Sequence, residues 1–80
     1  MGKYFSETIQ AADALTNALG SINGPDIQTI KRESARLNRY WLAGEKHAGD
    51  VLRLFYRDMK NLGITGYVMK MVEDSIGREA

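Results

Sequence analysis

The sequence predicts an all-α protein: three or four helices packed as a small helical bundle, in a single helical domain over residues 1–80. Three observations carry this. Apolar residues recur at three-to-four spacing through most of the chain. Short apolar–polar alternation rich in β-branched residues is missing. Asn23-Gly24-Pro25-Asp26 and Gly63 fall between periodic segments, where helices would end and begin.

The first helix is expected to start after Ser6, whose hydroxyl can cap it, with Glu7 suited to the positive end of the helix. Phe5 before the cap and Ile9 in the first turn form a hydrophobic staple in this reading. Ile9, Ala12, Leu15, Leu19 and Ile22 mark the apolar face, and Gly20 or Gly24 ends the helix. Asn23-Gly24-Pro25-Asp26 is the strongest punctuation in the chain. Proline at the first helical position, with an acid beside it, opens the next helix.

From there Ile27, Ile30, Ser34, Leu37, Trp41, Gly44, Ala48, Val51 and Phe55 keep one heptad phase. The opposite position reads Arg32, Arg39, Lys46, Arg53 and Lys60, all basic. This agreement on both faces favours one long central helix from about 25 to 61. Gly44 and Gly49 oppose it. Together they cost about 2 kcal/mol inside a helix, and Asp50 could cap a fresh helix at Val51, so a bent or broken helix is the competing expectation. Gly63 suits a helix C-terminus, and Thr65 can cap a last helix over roughly 66–76. Val68, Met69, Val72 and Ile76 form its apolar face, and Gly77 ends it.

Composition narrows the function. The chain has no cysteine and one histidine, so cysteine-based zinc and disulfide chemistry are excluded. His47 has no local partner to make it a catalytic base, and Glu45, His47 and Asp50 match no metal-ligand spacing. The expectation is a non-enzyme with no cofactor and no metal. The polar start predicts no signal peptide. The longest apolar run, Tyr40–Ala43, is far short of a membrane span. A cytoplasmic protein without membrane contact follows. Gly2 and Ser6 fit the myristoylation pattern, but no basic cluster supplies a second anchor.

The net charge of +1 conceals a segregated distribution. Residues 1–30 hold one base against three acids. Residues 31–60 hold eight bases against four acids, and residues 61–80 hold two bases against three acids. In the middle segment arginine outnumbers lysine five to three, with Tyr40 and Tyr56 beside the charges. These are residue types favoured at specific interfaces. The expected contact is a basic-aromatic helix face made by Arg32, Arg36, Arg39, Tyr40, Lys46, Arg53, Tyr56, Arg57 and Lys60. It would bind the acidic surface of a protein partner, as a phage-type inhibitor or regulatory adaptor does. The bland alternative is a solvated face with Glu33–Arg36 and Asp50–Arg53 pairs at helical spacing. A homodimer is also expected, because the end helices would not cover the apolar seam of so long a central helix.

Nucleic-acid binding is the rival class, through the same stripe or a helix-turn-helix near residues 51–76. Against it stand the low net charge, a bulky Met59 where close packing is needed, and Glu73 and Asp74 on the recognition helix. Gly63-Ile64-Thr65-Gly66 has the GxxG spacing of KH domains. Its central residues bring no positive charge, and the strands of such a domain are absent from the pattern.

Overall fold

The structure, a computed structural model, describes residues 3–63, 69, 70, 72–74 and 77. Its described residues form helices and turns, with three main helices: α1 (Phe5–Leu19), α2 (Ile27–Leu42) and α3 (Lys46–Asn61). The direction of each follows from its contacts. Tyr4 stacks on Tyr40, while the Asp26 amide donates to the Ala18 carbonyl at 3.0 Å, so α1 and α2 are antiparallel. Trp41 lies against Gly49 and Ser34 against Met59, so α2 and α3 are antiparallel too. The result is an up-down-up bundle.

The break between α2 and α3 decides the architecture. Ala43 caps α2, and Gly44 follows with φ +104°, a backbone region open chiefly to glycine. The Gly44 amide donates to the Trp41 carbonyl at 2.9 Å, and the Glu45 amide to the Tyr40 carbonyl at 3.0 Å. These two bonds make a complete Schellman ending. Glu45 then serves as the N-cap of α3. The single central helix is therefore corrected to a hairpin, with the fresh start at Lys46 rather than Val51. The heptad seam is nonetheless buried in both halves, at Ile30, Ser34, Leu37 and Trp41 and at Ala48 and Val51. A chain folded back on itself covers its own seam, and the reason given for a second copy falls away.

Gly49 also changes meaning. A Cβ built on it would lie 2.5 Å from Trp41 Cε2. The missing side chain is what lets the indole lie flat against α3. The Arg53 guanidinium covers the same ring, 5.0 Å from its centroid.

Helix α1 differs from expectation in cap and face. It starts at Phe5 behind Tyr4, with no side-chain cap, so Ser6 and the Phe5–Ile9 staple are not used. Its buried residues are Thr8, Ala11, Leu15 and Ala18. The face is turned by one residue from the apolar count, and Ile9 and Ile22 are exposed. Gly20 ends α1. Asp26, not Pro25, is the working residue at the start of α2. Its carboxylate accepts from the Thr29 amide at 3.2 Å and the Thr29 hydroxyl at 2.7 Å.

Gly63 takes φ +74° after α3, with its amide donating to the Lys60 carbonyl at 3.0 Å, as a C-terminal glycine should. Residues 69–70 and 72–74 are helical, and Met69 and Val72 join the common core. Gly77 is helical, and the residues that would show whether the helix ends there lie outside the described ones. Thr65, Val68, Ile76 and most of the proposed helix-turn-helix turn lie outside the described residues. No helix among the described residues is long and apolar enough to cross a membrane.

Candidate protein-binding surface

The break at 43–45 divides the expected basic stripe into two patches on antiparallel helices. On α2, Arg32 and Arg39 are seven residues apart, about two turns, and both are exposed. Arg36, between them, is half-buried and committed to the fold. Its Nε donates to the Tyr40 hydroxyl at 2.6 Å, and its Nη1 lies 3.3 Å from Glu33 Oε2. The Tyr40 hydroxyl and Glu33 hold the guanidinium charged, raising its pKa above the ordinary arginine value against the opposing effect of burial. The Tyr40 ring stacks on Tyr4 with centroids 4.8 Å apart and planes 11° from parallel. Arg36 and Tyr40 thus face α1 and pin its start, a role that composition alone did not reveal. Tyr4 completes this contact, and nothing in the sequence marks it, because a lone tyrosine before a helix carries no periodic signal.

On α3, Lys46, Arg57 and Lys60 are exposed. Arg53 reaches back over Trp41 and lies 3.5 Å from Asp50. Tyr56 is half-buried against the core, with the Lys60 ammonium 5.6 Å from its ring centroid. So this patch looks toward the α2–α3 seam, while the α2 patch borders α1. The nine candidate residues do not form one continuous face. Five of them (Arg32, Arg39, Lys46, Arg57 and Lys60) stand out as exposed cations. The other four are half-buried or lie over core rings.

Burial alters the charge balance that the sequence implies. Of the four acids on α2, α3 and their turn, Glu33 and Glu45 are buried, leaving Asp50 and Asp58 exposed. Seven of the eight bases are exposed: Lys31, Arg32, Arg39, Lys46, Arg53, Arg57 and Lys60. Glu33 is neutralised locally by Arg36 and, at 3.9 Å, by Arg32. The outer surface of the hairpin is therefore more basic than a count along the chain suggests.

Chemistry finds less support. The His47 ring stacks on Phe5, with centroids 5.3 Å apart. Among the described residues no group of three histidines or acids is placed to hold a metal ion. Glu7 Oε2, Thr8 Oγ1 and Glu45 Oε1 are buried without a hydrogen-bond partner among the described residues, all near the start of α1 or the hairpin turn. Compared with models of known families, with curated proteins and with solved structures, the chain matches none of them.

Proposed function

We propose that this protein is a non-enzymatic binding module. It acts stoichiometrically on a protein partner with an acidic surface, as a phage-type inhibitor or regulatory adaptor would. The observation that carries the reading is the burial of Glu33 and Glu45, which leaves seven exposed bases against two exposed acids on α2 and α3. Arg32 and Arg39 on α2, and Lys46, Arg57 and Lys60 on α3, are the contact charges. Arg36, Tyr40, Arg53 and Tyr56 support them from within. Arginine on a rigid helix is well suited to carboxylate recognition, because its planar fork loses little freedom on pairing. The reading places the protein in the cytoplasm and gives it no cofactor.

The test is capture of the partner from a lysate of the source cell by the tagged chain, identified by mass spectrometry, beside the Arg32→Glu/Arg39→Glu variant. Loss of the partner with unchanged helical circular dichroism supports the α2 patch, and equal recovery overturns it. Nucleic-acid binding through the same charges is separated by chromatography on immobilised duplex DNA and single-stranded RNA. Retention that falls steeply with salt would replace the protein-binding reading.

A further inference from the structure

We infer that Asn23 is a site of spontaneous covalent modification, its side-chain amide converting to a carboxylate through a cyclic imide closed with the Gly24 nitrogen. Such a reaction needs an unhindered nitrogen after the asparagine, a side-chain amide free to meet it, and a backbone able to bend into a five-membered ring. The connection between α1 and α2 supplies all three. Gly24 has no side chain to shield its nitrogen, and a Cβ built there would meet no atom within 4 Å. Its φ of +97° shows a backbone already using the freedom of glycine. Residues 20–28 are all exposed, so water reaches both partners. No hydrogen bond among the described residues holds the Asn23 side chain.

One restraint acts on the site. The Gly24 amide donates to the Ser21 carbonyl at 3.1 Å, and this bond must open before the nitrogen attacks. It lies in an exposed turn outside the helices, so it opens locally and leaves the bundle folded. The other asparagines are held more firmly. Asn17, Asn38 and Asn61 lie in α1, α2 and α3 and precede Ala18, Arg39 and Leu62, none of them glycine. Ala18 and Arg39 are inside helices, and the Leu62 amide donates to the Asp58 carbonyl at 3.1 Å. Asn38 is also buried.

The chemistry closes without an oxidant or a reductant. The Gly24 nitrogen bonds to Cγ of Asn23, its proton passes to the departing nitrogen, and ammonia leaves. Water then opens the imide. Attack at Cγ restores the original chain with aspartate at position 23. Attack at the main-chain carbonyl gives isoaspartate, with Gly24 linked through Cγ. One water enters and one ammonia departs. Either product lowers the formal net charge from +1 to zero. The isoaspartate also adds a carbon to the main chain inside the loop that the Asp26 amide closes on the Ala18 carbonyl at 3.0 Å. Neither product alters Arg32 or Arg39, so this inference is independent of the acidic-partner reading.

The test incubates the folded full chain in warm, mildly alkaline buffer, where the attacking nitrogen loses its proton more readily. Peptide mapping with fragment-ion sequencing follows all four asparagines. Asn23 should gain the mass of exchanging NH for O at least about tenfold faster than Asn17, Asn38 or Asn61, because opening a turn costs less than opening a helix. Two product peaks are expected, one matching the Asn23→Asp variant. Gly24→Ala should slow the conversion, with circular dichroism confirming that it keeps its helices. The free peptide Ser21–Asp26 in the same buffer reports the reaction without the fold. An Asn23 that stays intact while this peptide converts overturns the proposal. So do equal rates at the four asparagines, or conversion of folded Gly24→Ala as fast as wild type.

Discussion

Replacing Gly49 by alanine should destabilise the protein, although alanine is the better helix former by about 1 kcal/mol. The reason is the indole of Trp41. The new methyl would sit 2.5 Å from Cε2, 2.7 Å from Nε1 and 2.8 Å from Cδ2. Carbon contacts settle at about 3.5–4.0 Å, so the ring must retreat by about 1 Å. Trp41 is only 8% exposed and lies under Arg53, so retreat disturbs the core and the cation–π contact together. Overpacking of this kind costs about 1–3 kcal/mol, and the cation–π contact adds about 0.5–1 kcal/mol. After the gain in propensity, a net loss of about 0.5–3 kcal/mol is expected. For a chain of this size that lowers the melting temperature by roughly 2–24 °C. Guanidinium and thermal unfolding followed at 222 nm read it directly. The decisive control is the same substitution in a Trp41→Leu background, where the ring is absent and alanine should stabilise by up to about 1 kcal/mol. A rise in stability in the wild-type background, or an equal loss in both, would refute the packing argument.

Three further outcomes are expected. Gly44→Ala should cost about 1–2 kcal/mol in the same unfolding assay through its backbone at φ +104° alone, since a Cβ there meets no atom within 4 Å. Tyr40→Phe keeps the stack on Tyr4 but removes the acceptor of Arg36 Nε, and should cost about 1 kcal/mol. Loss of the corresponding Arg36 side-chain signal position in NMR spectra would locate the effect. Asp26 has a pKa lowered below its ordinary 3.8, chiefly by the Thr29 hydroxyl and then by the Thr29 amide. A carboxyl depressed by folding stabilises the native state above its unfolded pKa and loses that contribution as pH falls through the folded value. Acid unfolding of Asp26→Ala should therefore show a smaller loss of stability below about pH 4 than wild type, and an identical pH slope would exclude the cap.

Much of the fold was legible from residue spacing. Gly20, Gly63 and the segment before Asp26 end or begin helices where the punctuation placed them. The Glu33–Arg36 and Asp50–Arg53 pairs form as helical spacing implies. The hairpin was harder to read, for a physical reason. An apolar seam states which side of a helix is hidden, not what hides it, and the heptad phase happens to continue through Ala43–Glu45. Gly44 and Gly49 were weighed together as helix breakers, yet one turns the chain and the other seats an indole. The inner face of α1 escaped because Thr8, Ala11 and Ala18 are small, and small residues count little in an apolar pattern while allowing close approach. In the candidate surface, Arg36 and Tyr40 looked like contact residues because sequence cannot show that Tyr4 occupies the other side of the ring. The burial of Glu33 and Glu45 was hidden for the same reason: a formal charge counts equally wherever it lies.

The turn at Ala43–Gly44–Glu45 also bears on how fast the molecule forms. Three residues between α2 and α3 make loop closure short, and the antiparallel order of the helices keeps paired residues near one another along the chain. Topologies of this kind fold in microseconds to milliseconds. Trp41 sits one turn from that corner and is buried against Gly49 on α3, so the blue shift of its emission would report the closing of the hairpin itself. Gly44 then acts on two timescales, setting the direction of the chain at equilibrium and the rate at which its two halves first meet.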